Sequence, residues 1–419
     1  MRHAISRWIV GLALGSVCGP MLMAAEPTTR VAQTEFFGKK SFTLTSPQVA
    51  LAVTEIGGHM APVTFYRQAQ KFEPYHISPW QKEPAAEMPV PVLVPLRGDF
   101  FCMPFGGNSD PVHGEKHPPH GEVAGSNWKV IGVQEKTGAG HAVVQTLTMR
   151  QETAVRKGQI TKQLSLMGDQ NVVYSAHTIE GFAGRVPLGH HATLAMPEAE
   201  GAVHLASSPL RFGMTYPGQF SDPKQREYQS LLPGTRWTDL TQVPVLAKNA
   251  PNADITRQPA RYGHADLVQL VNDPSVAGPA WMTATFTGGE QEYVWFSLKD
   301  PKVLSSTVIW MEHHGRHGHP WNGRNSCLGL EDVTAYFADG LAASSGENIL
   351  TQEGVPTAIG LQADHPTVIR YIQGVAAAPK GFDSVARIEF VPGGMMLISP
   401  KGERVKVAVI HEFLKTGTL

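Results

Sequence analysis

The sequence predicts an all-β protein of antiparallel strands, and three observations carry that reading. Short runs of alternating apolar and polar residues recur along most of the chain, the period of a half-buried strand. Between them, 42 glycines and 32 prolines punctuate 419 residues, which suits many tight turns and interrupts long helices. Stretches with helical periodicity are few and short.

The elements follow in chain order. Arg2 and Arg7 flank the start of an apolar stretch over residues 8–17, and Met23-Ala24-Ala25 offers a cleavage site. Residues 1–25 therefore read as an export signal, too short and too broken by Gly15, Gly19 and Pro20 to span a bilayer. Cys18 leaves a lipid-anchored alternative, against which the bulky Val17 argues. The expected location is periplasmic or secreted, with no membrane contact after signal removal. From Ser41, FTLTS and ALAVTEIGGHMAPVTF give strands with a hairpin at Gly57-Gly58. HAVVQTLTMR, QITKQLSLMG and NVVYSAHTIEG continue a meander, and YVWFSL, STVIWME, TVIRYIQGV, ARIEFV, MMLIS and VKVAVIHEFL supply later strands. Two short helices are expected, at 222–232 and 332–341. Patterning resumes unchanged after the proline-rich stretches 77–95 and 247–259, so residues 26–419 read as one domain.

Bulk properties exclude some functions. With 35 basic and 36 acidic residues the net charge is -1, which offers no footprint for nucleic acid or an anionic membrane. A hydrophobic fraction of 42% can fill a large core. Cys102 and Cys327 are the cysteines left after signal removal; one disulfide or two buried thiols both fit. Oligomeric state leaves no trace in the sequence.

Chemistry concentrates in two strand-like segments. In SCLGLEDV, residues 326–333, alternation puts Glu331 on a face with Cys327 and Gly329, a carboxylate behind small side chains. Asp332 falls on the opposite face. In PLGHHATLAM, residues 187–196, His191 shares its face with Gly189 and Thr193, and His190 with Leu188, Ala192 and Leu194. Each segment sets a proton-transfer group before a cleared space. Each group also has a plain alternative: Glu331 as an ion-pair partner of Arg324, His191 as a hydrogen-bonded core histidine.

Histidine also clusters, at His113, His117 and His120 and again at His313, His314, His317 and His319. Imidazole can move protons or bind metal, but neither window has a metal signature, and solvated loop histidines fit equally. No metal or cofactor is expected. HGEVAGSNW, residues 120–128, adds an imidazole beside Gly121, where the backbone can turn, and a tryptophan opening the next strand.

Taken together and in order, HG followed by Trp128, then GHHATL, then CLGLED resemble the aldose 1-epimerase family of galactose mutarotase-like proteins. The resemblance implies an antiparallel β-supersandwich and a small carbohydrate substrate. Carried over, it casts Glu331 as general base, His191 as general acid and His120 as a second imidazole that binds or polarises the sugar. It also assigns RGDFFCMPFGGN, residues 97–108, to the sugar loop: Arg97, Asp99 and Asn108 toward hydroxyls, Phe101 and Phe105 against a C–H face. HHGRHGHPWNGR, residues 313–324, has no counterpart in the resemblance; its His314, Trp321 and Arg324 are candidate ligand contacts, with Arg324 suited to an anionic sugar. Ala124 stands where one branch carries arginine, and Thr193 where an aromatic is common, so the branch is divergent. The expected activity is anomer interconversion by acid/base ring opening. A noncatalytic sugar-binding protein and a polysaccharide lyase or hydrolase on the same scaffold remain alternatives.

Overall fold

The alternating runs form strands at nearly every place the pattern marks. The computed structural model describes Met1 and residues 31–419 apart from 139 and 141, so the export signal at 1–25 lies, Met1 aside, outside the described residues. Among the described residues, eleven strands form one antiparallel sheet in the spatial order Gln33–Phe36, Lys39–Thr45, Ala50–Thr54, Met60–Thr64, Asp99–Cys102, Leu188–Ala195, Ser326–Thr334, Ser306–His313, His264–Asn272, Leu210–Thr215 and Arg236–Trp237. Nine more form a second sheet, with Glu292–Lys299, Thr367–Ala378 and Val172–Glu180 at its middle. The hairpin at Gly57-Gly58 closes as expected, with the Thr54 amide donating to the His59 carbonyl at 2.9 Å.

Side chains from the two sheets interleave in the main core. The central sheet contributes Phe101, Ala192, Leu194, Leu328 and Leu330, and the second sheet Leu147, Leu164, Trp295 and Tyr371. Residues one position away, such as Phe100, Cys102, Cys327 and Val333, belong instead to an apolar cluster on the outer face of the central sheet. That cluster is covered by segments bearing Trp80, Val92, Leu93, Phe337 and Leu350. A third cluster packs the strands Arg387–Val391, Gly394–Ile398 and Arg404–Ala408 and the final turn Phe413–Thr416 against the far side of the second sheet.

The predicted helices are not there. Within 222–232 a single 3-10 turn, Pro223–Gln225, ends at Arg226 in the left-handed region at φ 64°. Residues 332–334 finish the strand Ser326–Thr334, because the Asp332 side chain is held inside the sandwich, and the first α-turn begins only at Leu341. No helix among the described residues is long and apolar enough to cross a membrane.

Polar groups buried between the sheets hold them together. The Asp332 carboxylate receives Lys299 Nζ at 2.6 Å and the hydroxyls of Ser297, Thr307 and Tyr371 at 2.7, 2.6 and 2.8 Å. Burial opposes that charge, but the ammonium and the hydroxyls outweigh it and hold the Asp332 carboxyl below its ordinary pKa. Asp99 accepts from His190 Nδ1 at 3.0 Å, and the His190 ring stacks on Tyr371 at 4.1 Å. Removing one member of a buried pair strands the other charge, so Lys299→Met should lower the unfolding free energy by about 3–5 kcal/mol in denaturant titration. Adding Asp332→Asn to that variant should recover part of the loss.

Candidate active site

Strand register assembles the site. Glu331 pairs directly across from His191, and His191 in turn lies across from Phe100 on its other side. Alternation then turns all three side chains to the outer face of the central sheet. His191 Nε2 sits 3.3 Å from Glu331 Oε1, and the two side chains are buried. Phe100 lies stacked between two imidazoles, His191 at 4.5 Å and His59 at 3.9 Å between ring centroids.

His120 arrives from a loop. Its amide donates to the Gly106 carbonyl at 2.7 Å and its carbonyl accepts from the Met103 amide at 3.2 Å, with its own φ at 60°. Gly121 follows at φ 80°, where a Cβ would stand 1.9 Å from the Met103 carbonyl oxygen, so a side chain there would drive the loop off. The His120 ring ends 5.1 Å from His191, edge to face.

These groups face a cavity of about 340 Å³. Its polar side chains are His120, His191, Glu331 and Arg316; most of the remainder are apolar, including Val90, Leu93, Leu96, Phe220, Trp310 and Trp321. His120 Nδ1 and Trp310 Nε1 make no hydrogen bond among the described residues.

Burial sets the protonation of the pair. It raises the Glu331 carboxyl well above its ordinary pKa and lowers His191 well below its own, with the imidazoles of His120 and His59 adding to the latter. Burial thus favours the uncharged form of each partner, a protonated carboxyl at Glu331 facing a neutral imidazole at His191. Thr193 Oγ1 hydrogen-bonds His191 Nδ1 at 3.2 Å and holds the ring from its other side. His120, also buried, is lowered to about 4 and stays neutral near neutral pH.

Of the residues the sequence nominates, His120, His191, Glu331 and Trp321 meet around the cavity, and Phe105 supports His120 edge-on at 5.1 Å. The rest go elsewhere, which corrects the expectation of direct ligand contact. Arg97 is buried with its guanidinium bonded to the carbonyls of Phe36, Phe37 and Pro95 and to the Gln81 amide oxygen. Asp99 faces between the sheets onto His190, and Phe101 stacks there on His177 at 4.1 Å. Asn108 ties its own loop, donating to the carbonyls of Pro104, Gly106 and Pro118 and accepting from the Leu341 amide. Arg324 pairs with Glu83 at 2.6 Å, and His314 bonds the Gly323 carbonyl at 3.0 Å. Cys102 and Cys327 are separate buried thiols. Sequence reasoning passed over Phe100, Trp310 and Arg316. Parity with Cys102 marks Phe100 for the outer face, and parity with Val308 does so for Trp310; a loop arginine gives no such signal.

No family model matches the chain, and neither does any curated protein. Solved structures do. The candidate mutarotase YeaD of Salmonella typhimurium superposes with a TM-score of 0.52 at 11% identity, covering 84% of this chain and 97% of that one. A candidate aldose 1-epimerase of Escherichia coli K12 gives 0.50 at 13% identity over 81% of this chain and 99% of that one. This chain has the galactose mutarotase-like fold. The Slr1438 protein of Synechocystis sp. PCC 6803 superposes with a TM-score of 0.50 at 13% identity, covering 85% of this chain and 100% of that one.

Two outcomes follow from this geometry. A Cβ on Gly329 would stand 2.6 Å from Glu331 Oε1, so Gly329→Ala must displace the carboxylate tip. The cost in denaturant stability should stay near 1 kcal/mol, since a side-chain end can yield, while the ¹⁵N resonances of the His191 ring shift as its partner leaves. Below the cavity wall, buried Glu312 is pushed up to about 7 by burial, against the opposing pull of Arg316. A raised carboxyl binds its proton more tightly folded than unfolded. Its stabilisation is complete below the unfolded value near 4.5 and is lost as pH rises to about 7. Relative to Glu312→Gln, the wild type should therefore lose about 3 kcal/mol across that window in parallel denaturant titrations.

Proposed function

We propose that the chain acts on a carbohydrate as a 1-epimerase, interconverting anomers by acid/base ring opening without a cofactor. The observation that carries this reading is the buried pair of His191 and Glu331, 3.3 Å apart on adjacent strands at the wall of a cavity. One proton shift across that contact converts the uncharged pair into an imidazolium and a carboxylate, an acid and a base side by side. The Glu331 carboxylate takes the proton of the anomeric hydroxyl and His191 protonates the ring oxygen. The bond from the anomeric carbon to the ring oxygen then breaks, giving the open-chain aldehyde. Rotation about the next carbon–carbon bond and reclosure yield the other anomer, with the two groups exchanging roles on the return. His120, held neutral, serves as a hydrogen-bond partner to the sugar and not as a proton source.

The mutarotase-like fold of neighbours described as sugar epimerases and mutarotases supports the carbohydrate class. The basic, apolar and small-residue sequence at 1–25 supports action outside the cytoplasm, periplasmic or secreted.

Polarimetry and NMR on freshly dissolved glucose, galactose and galacturonic acid test the reading. The wild type should speed anomer equilibration. Glu331→Gln and His191→Ala should each slow it about 10²- to 10⁴-fold with the circular dichroism spectrum unchanged. Sugar binding without turnover, unaffected by Glu331→Gln, would leave a noncatalytic binding protein instead.

A further inference from the structure

We infer that the ligand of this cavity is a carboxylated sugar with a reduced set of hydroxyls, seated by Arg316; this rests on the acid/base reading above and names its substrate class. The first ground is the wall. Four polar side chains line the cavity, and two of them, His191 and Glu331, are already engaged with each other. A fully hydroxylated aldohexose carries five hydroxyls. Here several of them would lie against Leu93, Leu96, Phe220 and Leu267, where each loses water without gaining a partner. A ring that has lost a hydroxyl to a double bond or a deoxy position avoids that cost. The indoles of Trp310 and Trp321, edge to face at 5.5 Å, offer apolar surface for such a ring.

The second ground is the loop at 313–324, which the acid/base chemistry leaves unused. Most of its polar residues are spent on fastening it. His319 Nε2 bonds the Glu87 carbonyl at 3.0 Å, Arg324 pairs with Glu83, and buried Glu227 caps the amides of His317 and Gly318 at 2.9 and 3.1 Å. Arg316 is the exception. Its guanidinium lies 4.6 Å over the Phe220 ring, and Nη1 reaches Glu227 only at 3.5 Å. Nε and Nη2 make no side-chain hydrogen bond among the described residues, which leaves three of the five N–H donors of the guanidinium open. A planar fork matches a planar carboxylate with two parallel bonds. Among the described residues no second arginine and no lysine lines the cavity, so a monoanion is balanced there better than a phosphate dianion.

Four sugars separate the two grounds: galactose, 6-deoxygalactose, galacturonate and a 4,5-unsaturated uronate. Anomer exchange by NMR and binding by calorimetry are measured for each. The wild type should favour galacturonate over galactose by about 10- to 100-fold in kcat/KM and the unsaturated uronate further still, with 6-deoxygalactose above galactose. Arg316→Gln should erase the advantage of the carboxylate, and Arg316→Lys should restore part of it as a point charge. If Arg316→Gln does not fold, the wild-type order and Arg316→Lys decide. Equal handling of galactose and galacturonate, or a carboxylate preference that survives Arg316→Gln, overturns the ligand class while the acid/base reading stands. Arg316-dependent uronate binding with no anomer exchange on any sugar upholds the ligand class and sinks the acid/base reading.

Discussion

The Asp332 carboxylate is the contact on which the site depends, although it faces away from it. It projects from the central sheet into the space between the sheets, where Lys299, Ser297 and Tyr371 from the second sheet and Thr307 from its neighbour all converge on it. A buried charge so fully satisfied tolerates little movement, because any slip leaves an ammonium or a carboxylate without water or partner. One residue earlier, Glu331 points the other way. Pinning Asp332 therefore fixes the depth and register of Glu331, and the His190 bond to Asp99 does the same for His191. A slip of a single residue would exchange the two faces, putting Glu331 into the core and Asp332 into the cavity.

The two faces of these strands put similar residue types to opposite uses. Between the sheets, Asp332 is kept charged because an ammonium stands 2.6 Å away. On the outer face Glu331 has apolar neighbours and an imidazole, so burial favours its proton. With no fixed countercharge beside them, burial favours the uncharged form of both His191 and Glu331. A cationic residue directly beside Glu331 would fix it as a carboxylate and end its exchange of a proton with His191. Arg316 lines the same cavity but engages Glu227 and Phe220, and it forms no ion pair with Glu331 among the described residues.

Strand parity made much of this legible in advance. The alternation in 326–333 and 187–196 separates Glu331 from Asp332 and His191 from His190, and the register confirms both separations. The same rule applied to 99–102 would have chosen Phe100 over Phe101, which stacks on His177 between the sheets. Loops resisted such reading. Arg97, Asn108, His314 and Arg324 all carry groups suited to a sugar, yet each is consumed by carbonyls or a carboxylate of the loops themselves, because a coiled segment must satisfy its backbone from nearby side chains. The helical reading of 222–232 failed for a related reason. Its glutamate is spent on the 313–324 loop and its chain turns at Arg226.

The loop at 313–324 reaches the cavity from outside the strands that carry His191 and Glu331. The strands Leu188–Ala195 and Ser326–Thr334 are each hydrogen-bonded on both edges. Residues 313–324 join Ser306–His313 to Ser326–Thr334, so an insertion there grows outward from the site wall without shifting the strands beneath it. Fastened at Glu83, Glu87 and Glu227, it delivers one indole and one guanidinium to the cavity. In the reading proposed above, the proton pair sits on the sheet, and the 313–324 loop adds a guanidinium and an indole to the same cavity.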